Sequence, residues 1–256
     1  MSFPYNEIFQ FPERCLLNKR LTKAFFLKNF DLKSSEKNLL NNMVNGMEWI
    51  ASVKPANANI PSVKTKTHAF EEIQLMSVTL PNDKFEANFK KAADLLQKYI
   101  PYQMMVIVES ESEFVLNVCD KRINLNDSSK RTIENQFTTS IISKLYKNDI
   151  VADFFDAIGF IQLDKKNLQT CYQYYLQAVI QLEASSITGT FQKRTKARSD
   201  EDMAFLVDID NTEIEISVLQ NELKKQSQLK DKVSLNVEIQ KKRTKIQYIK
   251  DKLKTT

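Results

Sequence analysis

The chain has 256 residues, of which 42% are hydrophobic and 10% aromatic, with a formal net charge of +5. That apolar content suffices for a packed core and excludes global disorder, while only three glycines and six prolines argue against glycine-rich phosphate loops and turn-dense all-β folds. Cys15, Cys119 and Cys171 lie far apart, with neither a disulfide framework nor metal-ligand spacing, and read as buried thiols of a reducing compartment.

The opening residues, MSFPYNEIFQFPERC, carry no basic stretch followed by an apolar run. No apolar run approaches the roughly 20 residues of a membrane span. The expectation is a soluble, cytoplasmic protein with no membrane partner.

In chain order, NKRLTKAFFLK (18–28) reads as a basic helix whose apolar face packs inward. Leu39, Leu40, Met43, Val44, Met47 and Ile50 recur at steps of three and four behind capping serines and predict one amphipathic helix. FEEIQLMSVTL (70–80) predicts a strand stopped by Pro81. Phe85, Phe89, Ala92, Leu96 and Tyr99 then share a helical face, with Asn82 or Asp83 as cap and Pro101 as stop. YQMMVIV (102–108) reads as a strand buried on both faces, paired across ESES with the alternating EFVLNVCD (113–120). RTIENQFTTSII (131–142) is a further strand candidate, and Leu168, Tyr172, Tyr175, Val179 and Leu182 mark a helix.

The expected fold class is therefore α+β: a small mixed or antiparallel sheet of three to five strands flanked by helices, with a long, coiled-coil-like C-terminal helical tail. The expected organisation is an α+β domain at 1–182, a polar linker at 183–202 and the tail at 203–256.

Within the tail, KDKVSLNVEIQ alternates like a strand. At about 100° per residue, however, Ile216, Leu219, Leu223, Val233 and Val237 form one helical stripe. Leu235, Ile239, Ile246, Ile249 and Leu253 form a second on a nearly opposite face. The alternation is the overlap of the two stripes, and flanking runs of high helix propensity favour helix throughout over a break near 234–236. Charge is segregated too: residues 199–215 hold seven acids and no base, whereas 220–256 hold eleven bases and four acids. An antiparallel partner helix would set acid against base, so the ten stripe residues are the candidate partner-binding surface. The partner would be a second copy of this chain or a larger protein with an acidic helix.

Four segments in order, NKRLTKAFFLKN, MEWIASVKPANANI, YIPYQMMVIVESESEFVLNVCDKR and ELKKQSQLKDKVSLNVEIQKKRTKIQ, together resemble the DUF4391 family. The last carries a V-x-LN-x-E motif as Val233, Leu235, Asn236 and Glu238. The resemblance implies a bacterial protein with no activity or catalytic residue to transfer. It also implies the company of helicase and DNA methyltransferase genes, hence an accessory role in DNA processing or phage defence beside a helicase- or methyltransferase-type partner.

Direct signs of chemistry are few. His68 is the only histidine and no nucleophile motif accompanies it, so it reads as an ordinary polar position before a strand. Glu109, Glu111 and Glu113, with Glu71, Glu72 and Lys66 near another strand, are the residues a metal-dependent nuclease would use, but solvated turn acids are commoner. Lys193, Arg194, Lys196 and Arg198 beside Phe191, and Lys241, Lys242 and Arg243 followed by Lys245, are candidate nucleic-acid contacts. No catalytic residue, metal site or cofactor is assigned. The leading expectation is a non-enzymatic interaction protein acting through its tail; a nucleic-acid-binding module is the alternative, and a metal nuclease the second.

Overall fold

The computed structural model describes residues 4–145, 148–192 and 194–255. These form two compact units, Met1–Leu182 and Glu183–Thr256. The first begins with α1 (Tyr5–Phe9), a 3-10 turn, β1 (Leu16–Arg20), α2 (Lys23–Asn29), α3 (Ser34–Asn42), β2 (Gly46–Val53) and the single turn α4 (Pro55–Ala58). It continues through β3 (Val63–Lys64), β4 (Ala69–Phe70), β5 (Ile73–Thr79), α5 (Asn82–Tyr99), β6 (Gln103–Glu109), β7 (Glu113–Ile123), β8 (Arg131–Thr138) and β9 (Ile142–Ser143). Two helices follow, α6 (Asp149–Ile158) and α7 (Leu168–Thr188), the latter shared between the two units.

The class is α+β with a mixed sheet, as the sequence predicts, but the sheet has seven strands instead of three to five. Its order is β1-β2-β5-β6-β7-β8, with β9 also on β7; β3 and β4 form a separate ribbon. Among the described residues the one parallel pair, β5 with β6, is joined by α5, because parallel neighbours need a crossover. The apolar run Met104–Val108 is buried throughout. Met104, Val106 and Val108 pack in one core with Phe26, Leu40, Phe85 and Leu96 of α2, α3 and α5. Ile107 points to the other side, toward Phe9, Phe114 and Phe154. A strand covered on both faces reads as a continuous apolar run for this reason.

Three local expectations change. The helix predicted over 34–50 ends at Asn42, and Met47 and Ile50 lie on β2. Asn45 N–H already donates to the Thr79 carbonyl at 2.8 Å, so sheet pairing takes over the backbone groups a longer helix would use. The predicted 18–28 helix begins only at Lys23, capped by the Thr22 hydroxyl, because Lys19 and Arg20 pair with β2 as an edge strand. Pro81 takes the cap position of α5; the Asn82 side chain instead accepts from Glu111 N–H at 3.0 Å and holds the β6–β7 turn.

Buried polar groups fix the helices to β7. The Tyr172 hydroxyl of α7 donates to the Cys119 carbonyl at 2.6 Å and accepts from Cys119 N–H at 3.2 Å. Gln97 of α5 donates to Asn117 Oδ1 at 2.9 Å and accepts from the Cys119 thiol at 3.0 Å. Lys121 is fully buried and donates to the Ile100 and Tyr102 carbonyls, both at 2.9 Å; burial pushes its ammonium down to about 8. These partners carry the polar load that an otherwise apolar core imposes.

In the second unit, the stretch 183–202 expected as a linker is largely helical: α7 runs to Thr188 and α8 (Lys196–Lys225) starts seven residues before 203. The tail is two helices, α8 and α9 (Leu229–Lys254), folded back on each other. Residues 234–236 are helical as predicted, while the chain turns at Gln226–Gln228. Between Leu223 and Val233 the one apolar side chain is Leu229, which is exposed, so an unbroken helix would have no stripe to bury there. Folding back lets Ile209 and Ile216 bury Ile239, Ile246, Ile249 and Leu253, with Phe205, Leu206, Leu219 and Leu223 packed against them.

Candidate functional site

Two places concentrate chemistry. The first is on the sheet. Thr65 N–H donates to the His68 carbonyl at 2.8 Å and Ile123 N–H to the Thr67 carbonyl at 2.7 Å, so the β3–β4 turn is pinned to the end of β7. His68 is thereby held over the strand, its ring stacked on Phe70 at 6.1 Å and 13°. Its Nδ1 lies 2.9 Å from the Thr67 hydroxyl. Its Nε2 lies 3.5 Å from Asp120 of β7 and 3.8 Å from Glu134 of β8. The β7–β8 register runs from Asp120↔Asn135 to Lys121↔Ile133, so Glu134 is the extra residue of a β-bulge. A bulge breaks the two-residue alternation and re-aims the side chain it carries; here Glu134 joins Asp120 at one point. The other Glu134 oxygen accepts from Arg122 Nε at 2.8 Å. Burial raises the Asp120 carboxyl above its ordinary value; His68 pulls it back, and the Glu134 charge adds to the rise.

The second place is the outside of the α8–α9 hairpin. Ile239, Ile246, Ile249 and Leu253 are buried in its seam. Val233 and Val237 remain 55% and 50% exposed and line a shallow groove with Asn236, Gln240, Lys241 and Thr244. They lie about 120° and 160° around the helix from Ile239. On α8, Ile214 and Val218 are likewise 63% and 51% exposed, about 160° from the buried Ile216 on either side. Ten residues were expected to bind partners. Of these, Ile216, Leu219, Leu223, Ile239, Ile246, Ile249 and Leu253 meet each other inside the chain, Leu235 is half-buried, and Val233 and Val237 face outward. The acidic and basic segments also meet within the chain, through Lys242–Glu215 at 2.7 Å and Lys245–Asp208 at 2.5 Å.

A family model described as a domain of unknown function (DUF4391) matches residues 9–246, from α1 well into α9. The chain belongs to the DUF4391 family. No curated protein and no solved structure matches it.

The remaining candidates of the DUF4391 chain are dispersed. Glu109 is paired with Lys144 at 2.6 Å; Glu111 is bound to the start of α5; Glu113 sits at the start of β7. Glu72 accepts from Ser52 at 2.6 Å and from Gln74 at 3.0 Å, Glu71 lies 4.0 Å from Lys64, and Lys66 is exposed. None of them belongs to a three-ligand cluster among the described residues; the one such group is His68, Asp120 and Glu134. Lys193 lies outside the described residues. Arg194 and Arg198 pair with the buried Asp202 at 3.1 and 3.0 Å. They also donate to backbone carbonyls at the C-terminus of α9, including Lys252 and Leu253. They serve the hairpin, while Lys196, Lys241 and Arg243 are exposed. Burial pushes the thiols of Cys119 and Cys171 up to about 12 and about 11, and that of Cys15 above its ordinary value, which suits inert structural cysteines. Sequence reasoning noticed His68 as the sole histidine and read it as an ordinary polar position, because its partners are remote. Asp120 and Glu134 are 52 and 66 residues away, and no local spacing announces a bulge.

Proposed function

We propose that this DUF4391 protein is a non-enzymatic, cytoplasmic interaction protein that self-associates through the outward face of its helical hairpin, as an accessory to DNA-processing or phage-defence machinery. One observation carries the reading: a second 4-3 stripe runs along the back of each hairpin helix. It comprises Val207, Asn211, Ile214, Val218 and Asn221 on α8, and Val233, Val237, Gln240 and Thr244 on α9. Spacing of 4-3-4 with apolar and amide residues is the pattern of a helix seam whose amides set register at a cost in stability. Charge favours a second copy as the occupant. Helix α8 has eight acids and four bases, and α9 nine bases and three acids, so α8 of one copy complements α9 of another.

Light scattering on the purified full chain tests this. The expected mass is twice 29.7 kDa, falling to one chain mass on Val237→Glu or Ile214→Glu with helical circular dichroism intact. A wild-type protein that stays monomeric at every concentration overturns self-association; a mass increase seen only with a larger DNA-processing protein would give the same face a different occupant.

A nucleic-acid-binding reading is the second. Its support is the exposed Lys241 and Arg243 on a strongly basic α9. Binding to single- or double-stranded DNA should then fall steeply with salt and with Lys241→Glu. No binding at low salt removes it.

A further inference from the structure

We propose that His68, Asp120 and Glu134 hold one divalent first-row transition metal, of which zinc fits best. This does not rest on the association reading, since all three residues belong to the first unit.

The donor set consists of one imidazole and two carboxylates. Such a nitrogen–oxygen set suits zinc and its neighbours, whereas magnesium and calcium prefer oxygen alone. The distances are close to those the ion imposes. With zinc–nitrogen and zinc–oxygen bonds of about 2.0–2.2 Å, tetrahedral ligands sit roughly 3.4 Å apart. Here Nε2 lies 3.5 Å from Asp120 Oδ1 and 3.8 Å from Glu134 Oε2, and all three donor atoms fall within 4.8 Å of one another. Small side-chain rotations close that triangle.

Three surrounding features orient the donors without blocking them. The Thr67 hydroxyl lies against Nδ1, so that Nδ1–H donating to it leaves the Nε2 lone pair aimed between the carboxylates. Arg122 holds the Glu134 oxygen that does not face His68. The bulge at Glu134 is independent of any charge in the group, and it is what brings this carboxylate to Asp120. Among the described ion pairs Asp120 has the His68 ring as its one basic partner, whereas Glu134 is paired with Arg122 as well. Three protein ligands also leave a fourth position for water.

The sole histidine makes the experiment direct, because its ring resonances need no assignment. The full-length chain, stripped with chelator, is labelled with 15N in the imidazole and titrated with zinc, manganese or magnesium chloride. The expected result is one zinc per chain, retained on desalting, with the Nε2 resonance moving in step with occupancy; manganese broadens the same signal and magnesium leaves it unmoved. His68→Ala and Asp120→Asn should weaken zinc binding about 100-fold, and Glu134→Gln at least about 10-fold. Zinc uptake with the His68 signals unmoved would assign the metal to other groups, the thiols included, and overturn the proposal. Absence of stoichiometric uptake would overturn it equally. Should a variant fail to fold, the wild-type spectrum decides alone.

Discussion

Arg198, in the first turn of α8, donates to the Lys252 carbonyl in the last turn of α9 at 2.9 Å while its Nε pairs with Asp202 at 3.0 Å. A guanidinium at a helix C-terminus satisfies carbonyls that have no partner within the helix and meets the negative end of its dipole. Arg194 does the same from just before α8, donating to the Leu253 carbonyl at 3.3 Å. The two arginines and one fully buried aspartate close the open end of the hairpin, opposite the Gln226–Gln228 turn.

Breaking that closure should loosen the hairpin. Asp202→Asn removes the buried carboxylate that both guanidinium groups share, while Arg198 keeps the exposed Glu201 at 3.3 Å, at an expected cost of about 3 kcal/mol, as for a buried pair that loses one member. Arg198→Lys keeps the charge but loses the fork, and should cost about 1 kcal/mol. Urea unfolding followed by helical circular dichroism reads both.

The two faces of α9 should separate cleanly. Ile239→Ala removes a side chain buried between the helices and should cost about 2–4 kcal/mol in folding. Val237→Ala, half-exposed, should cost less than about 0.5 kcal/mol yet weaken self-association. Equal effects of the two on unfolding would contradict the placement of the seam.

Tyr172→Phe deletes one oxygen and strands the backbone groups of Cys119 within the core. A loss of about 1–3 kcal/mol is expected, with the urea midpoint lowered and the slope unchanged.

Acid should release the tie between α3 and α5. Burial opposes ionisation of Glu36, but the Lys98 ammonium at 2.6 Å, the Lys33 N–H and the Tyr99 hydroxyl hold its carboxyl below the ordinary value. A depressed carboxyl stabilises the fold above its unfolded pKa and loses that contribution as pH falls through the folded one. The pair is partly exposed, so the effect is below about 1 kcal/mol. Stability of wild type minus Glu36→Gln should be constant near neutral pH and vanish in acid; a difference that persists in acid would mean that packing, not charge, is responsible.

Much of the fold was legible because periodicity is local. The continuous apolar run Met104–Val108, the helical face of Phe85, Ala92 and Leu96, and the helical state of 234–236 follow from spacing alone, since burial on one face or both imposes it. Met47 and Ile50 were misread because their three-residue step is the helical one; in β2 the register shifts between Trp49 and Ala51, so Ile50 departs from the two-residue alternation, and the Thr79 carbonyl that decides the matter is distant in sequence. The candidate site was not legible: His68 stands alone in the sequence and reads as an ordinary polar position, since Asp120 and Glu134 reach it only through the fold.

What the amino-acid order determined by itself is the type of the most strongly periodic elements, the opposed stripes of the tail and the segregation of its charge, all properties of residues within a few turns of one another. Tertiary structure alone decided that the stripes close on each other within one chain, that Arg194 and Arg198 cap a helix instead of standing free, and that a bulge turns Glu134 toward Asp120. Each of these depends on backbone groups brought together from tens of residues apart, where hydrogen-bond geometry and burial, not local spacing, select the partner.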